Sequence, residues 1–145
     1  MNKETLGIIP ARSGSKRVPD NNIREIDGKP LISYTIEQSA RADYLDETIV
    51  SSENEDIQHI AKKHGGTVPF QRPAKLATDE ATNNEVVQHA LNWFESEGRS
   101  FEYVCLLPVT TPFRDADDID KALTRLYSSD ADSIVSITTY ETPPF

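Results

Sequence analysis

Within six residues, Arg12, Lys16 and Arg17 place three positive charges around Gly14, which is flanked by Ser13 and Ser15. A glycine at such a point lets the backbone approach a ligand and turn its amides outward, and cations beside exposed amides suit phosphate. At about 4 Å separation and an effective dielectric of about 20, one charge pair near a protein surface is worth ~4 kcal/mol. Several such pairs on a triphosphate outweigh the repulsion of a distant net charge. The same cations could instead pair with carboxylates of neighbouring helices, and charge alone leaves both readings open. Two familiar phosphate signatures are absent. Neither the spacing from Gly7 nor the context of Lys16 makes a Walker A loop, and the three spaced glycines of a dinucleotide fingerprint are missing, which argues against a P-loop ATPase and a dehydrogenase.

The elements that must hold this loop follow from periodicity. Leu6 to Ala11 is a short apolar run that predicts a buried strand, and the basic loop leaves its carboxyl end, where parallel α/β sheets collect ligands. Pro30 followed by Ile32, Ile36 and Ala40 predicts a helix. Thr48 to Val50 predicts a strand, Asn54 to His64 a helix ended by Gly65 and Gly66, and Thr67 to Phe70 a short strand. After the irregular stretch Gln71 to Ala81, Thr82 with Glu85 offers a capping box. The helix it opens carries Val86, Val87, Ala90, Leu91 and Phe94 inward and stops at Gly98. Tyr103 to Leu107 predicts a strand, Asp115 to Tyr127 a helix with Ile119, Leu123 and Leu126 inward, and Ser133 to Ile137 another strand. Alternation of this kind predicts an α/β fold with a mostly parallel sheet and helices on both faces. The chain reads as cut short, because Thr142 to Phe145 follow the last predicted strand without a closing helix.

A length of 145 residues fits a single domain, residues 1–145. The 24 acidic and 15 basic residues give a net charge of -9, which disfavours nucleic acid and anionic membrane as partners, so an anionic ligand needs a local basic patch. Cys105 is the sole cysteine, which excludes an internal disulfide and suits a cytoplasmic setting. No apolar run approaches the ~20 residues of a membrane span.

The stretch Ile8-Ile9-Pro10-Ala11-Arg12-Ser13-Gly14-Ser15-Lys16-Arg17-Val18-Pro19, with Asn22-Ile23 after it, resembles the opening of the acylneuraminate cytidylyltransferases, the CMP-sialic acid synthetases and their relatives for legionaminic and pseudaminic acids. Four further blocks match in order: Gly28 to Leu31, Ile49 to Ser52, Arg72 to Asp79, and Leu106-Leu107 to Thr110-Thr111-Pro112-Phe113-Arg114. The resemblance implies a Rossmann-like three-layer nucleotide-diphospho-sugar transferase fold. It also implies a reaction in which CTP and a nonulosonic sugar acid give a CMP-sugar and pyrophosphate. Arg12 and Lys16 match triphosphate-binding positions and are expected to hold the leaving group as the catalytic residues. Gly14, Ser15, Asn22 and Asn83 match the nucleotide site, Arg72 a position near the cytidine, and the Ala11 amide is expected against the base or ribose. Magnesium is expected from phosphate chemistry. Its protein ligands, like most of the dimer-forming segment, belong in the resemblance to a C-terminal part that this chain lacks, so no metal ligand is assigned here. A full-length relative is expected to be a homodimer. Alternatives are a non-catalytic or truncated CTP-binding module, or a sugar nucleotidyltransferase for a different base.

Departures from the pattern refine these expectations. Asn21 stands where the family usually has lysine, Asn83 where serine is frequent, and Pro108 where glutamine is frequent. Thr110 occupies the place of a metal-holding aspartate in the Kdo cytidylyltransferases, which disfavours Kdo as substrate. The acidic cluster Asp115, Asp117, Asp118 and Asp120 falls in the first turn of a predicted helix, where carboxylates meet the positive end of the helix dipole, so a structural role is expected rather than a metal site. His59, His64 and His89 lack ligand spacing and are expected to be ordinary surface or partly buried side chains.

Overall fold

A computed structural model describes residues 4–14 and 21–139. Ser15, Lys16 and Arg17 therefore lie outside the described residues, as does the chain end from Tyr140 to Phe145.

Strand β1, Thr5–Pro10, is the centre of a three-stranded parallel sheet in the order β4-β1-β5. The neighbours are β4, Glu47–Ser51, and β5, Tyr103–Leu106. The register sets Ile8 opposite both Ile49 and Leu106. Period-two alternation divides the apolar side chains of β1 between two cores. Leu6 and Ile8, with Ile49, face Ala90 and Phe94 of helix α3, Asn83–Ser96. Ile9, with Val50, faces the other way, onto α1, Leu31–Arg41, α2, Glu55–Lys63, and α4, Ala116–Tyr127. Helices cover both faces, as the alternation predicts. The fully buried Leu6, Ile8 and Ile9 contribute roughly 1.5–3 kcal/mol each, enough to fix the strand whose end carries the basic loop.

Helix ends are set by the local sequence. Thr82 and Glu85 form the expected capping box at the start of α3. A second box joins Asp115 and Asp118 at the start of α4, Asp120 accepts from the amides of Asp43 and Tyr44, and Asp117 pairs with Lys121 at 2.7 Å. The acidic cluster is thus taken up by helix and loop termini. After α2, Gly65 adopts φ 89° and its amide reaches Lys62 O, while the Gly66 amide reaches Ala61 O at 2.8 Å. These are the paired bonds of a Schellman motif.

Two predicted strands are not formed. Thr67 to Phe70 is irregular: Thr67 O accepts from Val50 N at 2.8 Å, but Pro69 has no N–H with which to continue a ladder. Ser133 to Ile137 is not a strand either, and Val135 and Ile137 are 78% and 92% exposed. β-Branched residues favour a strand only when a neighbour pairs with it, and none among the described residues does. In turn, an unpredicted hairpin joins β2, Glu25–Ile26, to β3, Lys29–Pro30. Asp27 and Gly28 both have positive φ between them, the requirement of a tight hairpin turn. No helix of the described residues is long and apolar enough to cross a membrane.

Candidate nucleotide site

The parallel strands end together, and beyond the carboxyl ends of β1 and β4 lies a cleft of about 370 Å³. Arg12, Ser13 and Gly14 line one wall, Glu53 from the loop after β4 a second, and Ala74, Ala77, Thr78, Asp79 and Glu80 a third. The start of the basic loop, Arg12 to Gly14, thus borders a cavity. Gly14 sits at φ 73°, in the left-handed region that glycine enters at little cost.

Arg12 is held on this cleft by an ion pair, its Nη2 2.9 Å from Asp79 Oδ1. Of the two readings of the basic loop, pairing with a neighbouring carboxylate is therefore realised for Arg12. The pair is about one-third exposed on each side, so solvent screening leaves it exchangeable. The Ser13 amide donates to Glu53 Oε1 at 2.5 Å, and Asn22 Nδ2 donates to Arg12 O at 2.7 Å. Asn22 thereby fixes the backbone at Arg12 and is absent from the cleft lining. Lys16 and Ser15, assigned to the same turn from sequence, lie outside the described residues.

Three assigned residues are placed differently from the sequence expectation. The Ala11 amide does not face a ligand, because it extends the β1–β4 ladder by donating to Ser51 O at 2.9 Å, and the residue is buried. Arg72 is 2% exposed and absent from the cleft wall. Its Nε donates to Ser51 Oγ, Nη2 to Ser51 O and Nη1 to Leu76 O, at 3.0, 2.7 and 3.0 Å, so it ties the end of β4 to the 74–80 wall. Burial lowers the pKa of this guanidinium; the charge of Glu53 opposes that shift and the charge of Arg12 adds to it. Asn83 is exposed in the first turn of α3, outside the cleft lining.

Glu53 and Asp79 are the site residues that sequence reasoning left without a role. The signal for Glu53 is its place just past the end of β4, beside the loop of the adjacent strand; Asp79 closes the block that begins at Arg72. The histidines stay apart from the cleft. His89 packs edge-on against Phe70 with ring centroids 4.8 Å apart, its Nδ1 is buried without a hydrogen-bond partner, and burial followed by the charge of Arg72 lowers its pKa. Among the described residues no three His, Cys, Asp or Glu side chains group so as to hold a metal ion.

Comparison with known proteins connects this geometry to a family. The cytidylyltransferase family model matches residues 6–142. The pseudaminic acid cytidylyltransferase of Campylobacter jejuni is 37% identical over 140 residues, which cover 97% of this chain and 60% of that protein. The CMP-N,N'-diacetyllegionaminic acid synthase of Legionella pneumophila is 35% identical, with 96% and 60% covered. The N-acylneuraminate cytidylyltransferase of Escherichia coli O18:K1:H7 is 36% identical over 129 residues, covering 89% of this chain and 29% of that protein. The chain thus spans at most about 60% of the length of these curated relatives. In fold it is similar to CMP:2-keto-3-deoxy-manno-octonic acid synthetase complexed with CTP, at a TM-score of 0.73 and 20% identity, covering 88% of this chain and 49% of that one. It is also similar to a 4-diphosphocytidyl-2C-methyl-D-erythritol synthase, at a TM-score of 0.67 and 12% identity, covering 89% and 57%. With a match running from the first buried residues of β1 to beyond α4, and a cleft built on the turn that opens that match, the chain belongs to the cytidylyltransferase family.

Proposed function

We propose that the chain binds CTP through the turn after β1 and takes part in transferring its cytidylyl group to a nonulosonic sugar acid, releasing pyrophosphate. The observation that carries this reading is the Arg12-Ser13-Gly14 turn on a cleft at the carboxyl end of the central strand, in a chain whose named relatives act on pseudaminic, legionaminic or N-acylneuraminic acids. The anomeric hydroxyl of the sugar attacks the α-phosphorus, a new P–O bond forms, and the bond to the β-phosphate's bridging oxygen breaks as the hydroxyl proton leaves. Charge builds on the departing pyrophosphate. Arg12 and Lys16 are assigned to neutralise it, and the fixed strand end from which Arg12 projects limits how far the phosphates stray. Asn22 holds the turn in shape through Arg12 O.

Magnesium enters this reading from phosphate chemistry alone, as an ion carried by the nucleotide that neutralises phosphate charge. A homodimer and a place in cell-surface polysaccharide synthesis belong to the same proposal and rest on the family resemblance, and a cytoplasmic setting belongs to it through the sole cysteine, Cys105.

Incubation with CTP, magnesium and each of the three sugar acids tests it by pyrophosphate release. The parent protein should turn over, and Lys16→Ala should suppress turnover without lowering the melting temperature. Equal activity of that variant overturns the role of Lys16. Selective CTP binding without pyrophosphate release makes the protein a binding module, and preference for UTP, GTP or ATP assigns another base.

A further inference from the structure

The cleft wall carries three carboxylates, Glu53, Asp79 and Glu80, against Arg12 as the one cation among the described residues that line it. Two of those carboxylates hold the very groups a phosphate would need. Glu53 accepts the Ser13 amide at 2.5 Å through one oxygen and 3.4 Å through the other, and Asp79 holds the Arg12 guanidinium at 2.9 Å. Carboxylate and phosphate oxygens use N–H donors in the same way, so these donors cannot serve both at once.

We propose that Glu53 and Asp79 are internal competitors of the nucleotide's phosphates: binding exchanges the two carboxylates for phosphate oxygens at Ser13 N and Arg12. This rests on the reading of the turn as a phosphate site. Neither side chain caps the helix beside it. Asn54 accepts from Ile57 N to cap α2, and Thr82 with Glu85 caps α3. The Glu53 backbone is anchored independently, its carbonyl accepting from Gln71 Nε2 at 3.2 Å, so its side chain can turn without unravelling the loop. Once displaced, both carboxylates stay near the bound phosphates and repel them, which sets affinity by charge and makes the penalty grow with the number of phosphates. A role in shape alone would alter affinity for all phosphate ligands equally.

Calorimetric titration of the parent, Glu53→Gln and Asp79→Asn with inorganic tripolyphosphate, CMP, CDP and CTP tests the exchange. Each isosteric amide keeps an oxygen acceptor and loses the charge. Each variant should bind tripolyphosphate about tenfold more tightly, with a gain that rises from CMP through CDP to CTP. Unchanged or weaker tripolyphosphate binding in folded variants overturns the proposal, as does an equal gain for CMP and CTP; if one variant fails to fold, the other decides. The two readings separate cleanly. Tighter tripolyphosphate binding without preference for CTP over other nucleoside triphosphates supports the competition and defeats the cytidylyl assignment. Selective CTP binding without gain in the variants does the reverse. Absence of binding to any phosphate ligand overturns both.

Discussion

Replacing Arg72 by Met should destabilise the protein, because this buried guanidinium holds the chain together under the cleft. Methionine keeps the length and apolar bulk of the stem but removes every donor. Leu76 O then loses the guanidinium that it accepts from, Ser51 O is left with the Ala11 amide alone, and Ser51 Oγ loses its bond from Nε. The orphaned Leu76 carbonyl costs ~1–3 kcal/mol, and each lost bond from the charged guanidinium to Ser51 about 1.5–3 kcal/mol. Against this stands the cost of keeping the charge buried, visible in the lowered pKa of Arg72, and that cost disappears in the variant. The balance is a net loss of about 3 kcal/mol. With a urea slope of ~1.5 kcal/mol/M for a chain of this size, the unfolding midpoint falls by about 2 M at unchanged slope. Urea unfolding followed by circular dichroism reads it directly. A midpoint within about 0.3 M of the parent's, together with strongly reduced CTP binding, would refute the structural role and return Arg72 to the ligand-binding role that the family resemblance implies.

Gly66→Ala places a Cβ 2.8 Å from the Ala61 carbonyl oxygen and 3.1 Å from Ile36 Cδ1. The backbone of the Schellman turn must shift, at ~2 kcal/mol, and a thermal melt should fall by about 6 °C; an unchanged melting temperature contradicts the packing. Burial pushes the Cys105 thiol up to about 11, an effect that the charge of Arg114 partly opposes. At pH 8 the native protein therefore carries about a hundredfold less thiolate than an ordinary cysteine, and alkylation should be slowed by at least that factor relative to urea-unfolded protein. Because the folded-state pKa is the higher one, the stabilisation is full below the unfolded thiol's value near 9.0 and is lost as pH rises towards 11. Equal alkylation rates in the folded and unfolded protein would contradict that burial.

The helices were legible because their signals are local. Thr82 with Glu85 and Asp115 ahead of its apolar stripe mark starts, and Gly65 and Gly98 mark stops, each visible within a few residues. Strands depend on partners that lie elsewhere in the chain. The runs Thr67 to Phe70 and Ser133 to Ile137 carry β-branched residues like those of β4, yet only β4 has a full neighbour in β1. The site divides in the same manner. The placement of Arg12 and Gly14 beyond β1 follows from position in the sequence, whereas the contacts of Glu53 with Ser13 and of Asp79 with Arg12 span 40 and 67 residues and arise only when strand ends and the 74–80 wall come together. Arg72 shows the limit of reading by residue type. A cation in a ligand-binding block was expected at the ligand, and burial among carbonyls gave it a scaffolding position.

Whether the turn after β1 receives nucleotide phosphates is visible in a crystal structure of the protein soaked with CTP. Phosphate oxygens are expected within hydrogen-bonding distance of Ser13 N and the Arg12 guanidinium, with Glu53 and Asp79 turned away. A nucleotide bound elsewhere, with Arg12 still on Asp79 and Ser13 N still on Glu53, would contradict that placement.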